Sequence, residues 1–580
     1  MKHKIITLLI FITTLVGCSK DSISTEEQKG SIEVLVVFED TNKPVFDAVV
    51  ALNSSSNALT TGITGIVKFE NIEIGNHMIS VKVPTSDVVF EENVTVELNK
   101  TAKITIEVDP PNPVLPSIID IDVLLLSSYN SLLMDDVFNA IGYASYWGDI
   151  GTDIITTNNK LNPPTRDLNT YNFNTNDKII EDIWTNHYKI IRNMNVGIKA
   201  IEDSDFTTEI GTKPNVAMAE FRFLRALTYF NLIKLYGNPV LVTSTDVNLN
   251  DNTVVQDQLK TYEQIEKDLK YVELNLSGVS LPKNRASVSA AQALLGKVYL
   301  QMAGFPLLMT NKYETALIQL NKLKGSYALT PNYKDNFNAE KNSNNTEIIF
   351  QIDFKLTGNS NENSWDWVNW GPMGATERDH FILTPSFIES YFENPNDLNS
   401  PVSFPMNVKD SRFFENIAPF TYENGVSKNE DNSINWRPYK FSKNYQKEVS
   451  FHFPYLRYAD VLLMIAEAEN AVNGPTSIAY DAINQVRRRA FGNSENDINP
   501  GISSEEFLNT VLDERRLELC FEGHRKDDLI RTQKLHSVID DFNLKNPQHQ
   551  KNYQSYKYIF PIPQIELALN PNAIQNTGYK

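Results

Sequence analysis

Between residues 31 and 108 apolar and polar positions alternate with a period of two. The runs IEVLVVFED, DAVVALN, IVKFENI, HMISVKV, VTVEL and KITIEV are short and rich in β-branched residues, and Asn, Gly, Pro and Asp punctuate the gaps between them. Strands of this texture at regular spacing predict a small all-β sandwich over 31–108. Asp109-Pro-Pro-Asn-Pro-Val-Leu-Pro116 follows, and its prolines predict a stiff linker over 109–117. From residue 118 the pattern becomes helical. Residues 216–236 (VAMAEFRFLRALTYFNLIKLY) are good helix formers that stop at Gly237 with Pro239 beyond. Residues 289–302 predict a helix that pairs with one over 313–323, and 455–471 predicts a helix that pairs with one over 479–490. The run from Val461 to Ala466 is apolar nearly all round, which predicts deep burial. Ser503 and Glu506 form a capping box that opens a further helix toward Phe521. The predicted fold class is mainly α, helical hairpins with long irregular insertions, preceded by the all-β domain.

The first residues carry a different signal. Lys2 and Lys4 precede an apolar stretch from Ile5 to Val16, too short for a comfortable membrane span. Residues 1–17 therefore predict a secretory signal. Leu15-Val16-Gly17-Cys18 resembles a bacterial lipobox, which implies cleavage before Cys18 and acylation of that residue, anchoring the chain in the outer-membrane lipid. Residues 18–30 are polar and unpatterned and read as a tether.

Composition narrows the function. The chain has 580 residues, with 53 Lys+Arg against 72 Asp+Glu and a net charge of −19, which excludes an electrostatically held nucleic-acid partner. Arg487-Arg488-Arg489 is too short a basic run to alter that. Cys18 and Cys520 are the only cysteines, so neither a disulfide framework nor a Cys-based zinc site can be built. There is no HExxH, no GxSxG and no GxxxxGK, so no metal, no cofactor and no catalytic residue is expected.

Several segments resemble the SusD/RagB family: residues 183–195 (IWTNHYKIIRNMN), 219–243 (AEFRFLRALTYFNLIKLYGNPVLVT), 455–469, 484–490, 513–532 (DERRLELCFEGHRKDDLIRT) and 558–576 (YIFPIPQIELALNPNAIQN). They occur in the family's order and span 118–580. The Leu295-Gly296-x-x-Tyr299 spacing likewise resembles a tetratricopeptide hairpin, though its connection is longer. The resemblance implies a surface lipoprotein of the outer membrane, facing the cell exterior. It also implies a partner, a SusC/RagA-like TonB-dependent transporter, and an oligosaccharide or peptide ligand for import. Cys520 departs from the family pattern, where a smaller or plainly aliphatic residue is usual. The run Pro44-Val45-Phe46-Asp47-Ala48-Val49-Val50, followed by Thr61-Gly62-Ile63-Thr64-Gly65 and Ile74-Gly75-Asn76-His77, resembles the carboxypeptidase-regulatory-like sandwich domain. That implies a non-catalytic spacer.

Two constellations invite chemistry. Glu514, Glu518 and Glu522 recur at intervals of four, on one helix face. They could supply a glycosidase acid and nucleophile, or form a structural ion-pair network with Arg515, Arg516 and Arg525 and with Arg487–Arg489. The second reading is preferred because three carboxylates in a row need cations, and His524, Asp527, Asp528 and Arg531 fall under it too. The other constellation is aromatic. Trp365, Trp367 and Trp370 crowd one polar loop with Asp366, Asn369 and, further on, Glu377. Rings flanked by amides and carboxylates suit a sugar, with the ring over C–H groups and the polar groups on hydroxyls. The alternative is that the rings tuck the loop onto the core. Tyr143, Tyr146 and Trp147, beside Asp149, form a second candidate cluster; Trp184 is assigned to the core, and Trp436 is left as an open candidate. A binder is favoured over a surface glycoside hydrolase or a pure assembly scaffold.

Overall fold

The computed structural model describes residues 29–39, 42–53, 58–62, 64–83, 89–108, 121–132, 147–157, 163–203, 212–245, 255–354, 381–393, 408–418, 421–423, 426–428, 436–441 and 451–579. The signal segment 1–17, Cys18, most of the tether and the linker 109–117 lie outside them. The chain divides into two compact units, Met1–Leu115 and Pro116–Lys580.

The first unit is built from strands β1 (Lys29–Phe38), β2 (Val49–Leu52), β3 (Ala58–Thr60), β4 (Ile66–Glu73), β5 (Gly75–Lys82), β6 (Val89–Val96) and β7 (Thr101–Val108). They form two sheets, in the orders β4-β1-β7 and β3-β2-β5-β6. β1 pairs antiparallel with β4 and parallel with β7, Ile32 lying opposite Phe69 on one side and Ala102 on the other. The period of two sends Ile32, Val34 and Val36 of β1 inward, where they meet Val50, Ile79 and Val81 of the other sheet. Thr61 is buried at no cost, since its hydroxyl accepts from Ala48 N at 2.9 Å and donates to Val45 O at 2.7 Å.

The second unit is mainly α. Its described helices include α1 (Ile121–Ser131), α2 (Pro163–Thr170), α3 (Lys178–Glu202), α4 (Pro214–Tyr236), α5 (Gln258–Asn275), α6 (Val288–Ala303), α7 (Lys312–Asn321), α8 (Pro385–Glu389), α9 (Tyr458–Asn473), α10 (Ser477–Phe491), α11 (Ser504–Glu518), α12 (Arg525–Arg531) and α13 (Leu535–Lys545). α4 has proline in its first turn and ends at Gly237, whose φ of 72° only glycine adopts freely. α6 and α7 make one hairpin, in which Gly296 is required by packing: a Cβ there would stand 2.4 Å from Leu320 Cδ2. α9 and α10 make another, and α9 also packs on α7 and α11, which explains why its run from Tyr458 to Asn470 is buried throughout.

Two predicted boundaries move. Residues 455–457 are not helix but the end of a strand, Phe451–Arg457, paired antiparallel with Ile348–Phe354. The alternation of FHFPYLR and the helix-incompatible Pro454 explain the difference. α11 stops at Glu518 rather than Phe521, because Phe521 and Gly523 take φ of 64° and 82° and turn the chain back on itself.

Candidate ligand-binding site

The carboxylate row on α11 and just beyond it points into the protein. Glu514 receives Arg412 at 2.7 Å and Arg487 at 2.8 Å. Glu518 receives Arg412 at 2.9 Å, Arg489 at 2.5 Å and Arg457. Glu522 receives Arg457 at 2.7 Å and Lys440 at 2.6 Å. Glu347, just before the strand paired with Phe451–Arg457, closes the hub on Arg457 (2.8 Å) and Arg489 (3.0 Å). Burial alone would raise the Glu518 carboxyl, but Arg489, Arg457 and Arg412 outweigh it and hold it well below the usual carboxylate range. A fully enclosed carboxylate that stays ionised and is saturated by guanidiniums can neither deliver a proton nor reach a sugar carbon. This row is a structural hub.

Of the predicted cations, Arg487 and Arg489 thus meet the row, while Arg515, Arg516 and Arg525 pair elsewhere. Arg515 bonds Asp460 and Asp528, each at 2.7 Å. Arg516 and Arg525 share Asp153, at 3.0 and 2.8 Å. Arg531 bonds Asp528 at 2.6 Å and Glu467, Asp527 bonds Lys234 at 2.9 Å, and Arg488 turns outward to Asp497. His524 accepts from Lys297 at 3.0 Å; burial and that neighbouring cation push its pKa well down. Sequence reasoning missed Arg412, Arg457, Lys440, Glu347 and Asp153. The available signal was a charge abutting an apolar run, as Arg457 abuts α9.

Among the aromatic candidates, Trp365, Trp367, Trp370, Asp366, Asn369 and Glu377 lie outside the described residues, as do Tyr143 and Tyr146. The two candidates that are described are corrected by their surroundings. Trp147 is 1% exposed, with the Lys526 ammonium 3.0 Å from its ring centre and Phe560 and Phe173 at 4.1 and 5.6 Å. Trp436 is 7% exposed and meets Phe413 edge-on at 5.6 Å. Neither offers a ring face to a ligand, since each is drawn into the core by apolar neighbours far away in sequence. Trp184 also sits in the core, its indole N–H donating to Glu566 at 3.2 Å.

A described cavity of about 520 Å³ opens beside the hub. Its floor is Asp153 with Arg516 and Arg525. α8 supplies Ser386 and Glu389, with Ser390 just beyond, α11 supplies Asp513, and α13 contributes Ser537, Val538, Asp541, Phe542 and Lys545. Thr384 positions α8: its hydroxyl caps the helix by accepting from Phe387 N and donates to Asp153 O, while its N–H bonds Ile154 O. Arg516 is steadied by Asp153 and by Ser390 Oγ at 2.9 Å, and its buried Nε has no hydrogen-bond partner among the described residues. Among the described residues no group of His, Cys, Asp and Glu is arranged to hold a metal ion, and no helix is long and apolar enough to cross a membrane.

Residues 321–579 match the family described as "SusD family", and residues 107–300 match the one described as "Starch-binding associating with outer membrane". "SusD-like protein P25" of Formosa agariphila is 27% identical over 518 residues, which is 80% of this chain and 92% of the relative. "Starch-binding protein SusD" of Bacteroides thetaiotaomicron is 25% identical over 417 residues, 62% of this chain and 72% of that protein. The crystal structure of a SusD homolog from Bacteroides thetaiotaomicron superposes with a TM-score of 0.66 at 27% identity, covering 79% of this chain and 96% of that one.

Proposed function

The chain belongs to the SusD/RagB family, and from that premise we propose that it is a lipid-anchored outer-membrane protein that binds an oligosaccharide and presents it to a SusC/RagA-like TonB-dependent transporter. The carbohydrate-binding role and the outer-membrane association rest on the matched starch-binding description and on the starch-binding relative. The single observation in the geometry that favours binding over catalysis is the sealing of Glu514, Glu518 and Glu522 beneath Arg412, Arg457, Arg489 and Lys440. In this reading Cys18 carries the lipid, residues 31–108 act as a spacer, and residues 118–580 hold the ligand without turning it over. The aromatic loop with Trp365, Trp367 and Trp370 supplies stacking surface.

The test is affinity of the purified protein for neutral oligosaccharides, against peptides as the competing ligand class. If a loop ring stacks on sugar, one of the three single Trp→Ala variants weakens binding about tenfold or more, because a stacked ring is worth about 1–3 kcal/mol by analogy with base stacking. Its melting temperature should stay put. Peptide affinity without sugar affinity would overturn the oligosaccharide reading, and sustained glycan turnover would overturn the binder. Cys18→Ala should leave the fold intact and release the protein from the membrane fraction, since acyl chains contribute about 0.8 kcal/mol per buried CH₂.

A further inference from the structure

The cavity bounded by α8, α11 and α13 is more than a gap between helices. Its floor is rigid: Arg525 is nine-tenths buried and makes paired bonds to both Asp153 oxygens at 2.9 and 2.8 Å, and Arg516 bonds the same carboxylate at 3.0 Å. A preorganised guanidinium floor presents donors without further loss of side-chain freedom. Arg516 keeps 13% of its side chain exposed, and its Nη2, which spends one N–H on Ser390 Oγ at 2.9 Å, has a second N–H to offer.

The rest of the lining supplies acceptors. Glu389 has no side-chain partner among the described residues, Asp513 stands 3.7 Å from Arg516, and Ser537 Oγ donates to Lys534 O at 3.0 Å, which leaves its lone pairs available. Around the cavity three cations face four carboxylates. That near-balance disfavours a polyanion and a strongly cationic group alike, while interleaved donors and acceptors match hydroxyls, each of which is both. Val538 gives one apolar spot for ring C–H groups, and the volume lies within the roughly 300–1,000 Å³ of small-molecule sites.

Resting on the carbohydrate-binding reading above, we propose that this cavity is a sugar subsite in which Arg516, Glu389, Asp513 and Ser537 hold one or two residues of an uncharged oligosaccharide. It is built from the helical scaffold and is separate in sequence from the Trp365–Trp370 loop.

The experiment is hydrogen exchange and calorimetric titration of the full chain with maltotriose, laminaritriose and cellotriose, and with trigalacturonate as an anionic probe. At least one neutral trisaccharide should slow exchange in segments 385–391, 512–517 and 535–545. Glu389→Ala should weaken it about tenfold, the worth of one hydrogen bond to a charged group. Ser537→Trp, an exposed plug at the rim, should abolish this protection with the melting temperature unchanged. Full affinity in the Ser537→Trp protein, or protection confined to 355–380, would overturn the subsite while leaving the carbohydrate reading intact. Tighter binding of trigalacturonate would overturn the uncharged class, and absence of binding by every saccharide would overturn both readings.

Discussion

The two units solve the problem of a unique core in opposite ways. The sandwich core is aliphatic apart from Phe69: Ile32, Val34, Val36, Val50, Ile79 and Val81 have no exposure, and its buried polar side chains among the described residues are Thr61 and Thr64. The helical unit instead buries Arg412, Arg457, Glu347, Glu514 and Glu518 almost completely, bonded to one another. Hydrophobic burial is non-directional and tolerates many partners, so a period of two and adequate volume are enough for the sandwich. Buried charges tolerate only their own partners, because each ion left unpaired costs several kcal/mol. The hub ties α11 to segments 410–416, 437–441 and 451–457 through bonds that each span more than 50 positions in sequence. There a directional interaction can define one arrangement where apolar contact alone would allow several.

The comparison can be broken at the hub first. Arg412 serves Asp410, Glu514 and Glu518 at once. Arg412→Ala should destabilise the helical unit by about 3–5 kcal/mol, lowering its calorimetric transition while that of the sandwich stays in place. A loss of less than about 1 kcal/mol would mean that water or neighbours replace the guanidinium freely and the hub is dispensable. Ile79→Ala is the converse, costing the sandwich about 2–5 kcal/mol through lost burial and a cavity, with no shift in the helical transition.

Acid should separate the units next. Glu347, Glu518 and Asp460 are held below the usual carboxylate range and Asp528 at about 2, since burial, which would raise them, is outweighed by arginine and lysine neighbours. Folded, these groups take up protons less readily than unfolded, so the stability they contribute is present above the ordinary carboxylate pKa and is lost as pH falls from about 4.5 toward 2. His187, which burial pushes down to about 4, adds to the loss between pH 6.5 and 4. Asp149 works against it: burial raises its carboxyl to about 8, so its penalty is relieved as pH falls from 8 to about 4. Below pH 4.5 the depressed carboxylates act together, and the helical transition should fall steeply while the sandwich transition barely moves. Parallel decline of both transitions would refute the contrast. The smallest effect is expected at the sandwich surface, where Lys100→Ala removes the exposed pair with Glu97. No measurable change in melting should follow, as such pairs are screened by solvent.

Local pattern carried much of this protein. The alternation over 31–108 specified strands and their inward faces, the apolar run at 461–466 specified a buried helix, and the block around 513–532 with its companions identified the family. These features depend on neighbours two to four positions apart, which a linear reading sees directly. What only the tertiary structure decided lies at long range. Arg412 reaches Glu514 and Glu518 across 102 and 106 positions, so the carboxylate row was legible together with Arg487 and Arg489, but Arg412, Arg457 and Lys440 were not. Trp147 and Trp436 look like ligand rings beside polar residues, yet rings brought from Phe560 and Phe413 bury them. The cavity takes its floor from Asp153 and its walls from 386–390, 513–516 and 537–545. No periodicity encodes such an assembly, because burial and pairing are properties of the packed chain and become defined only when distant segments exclude water together.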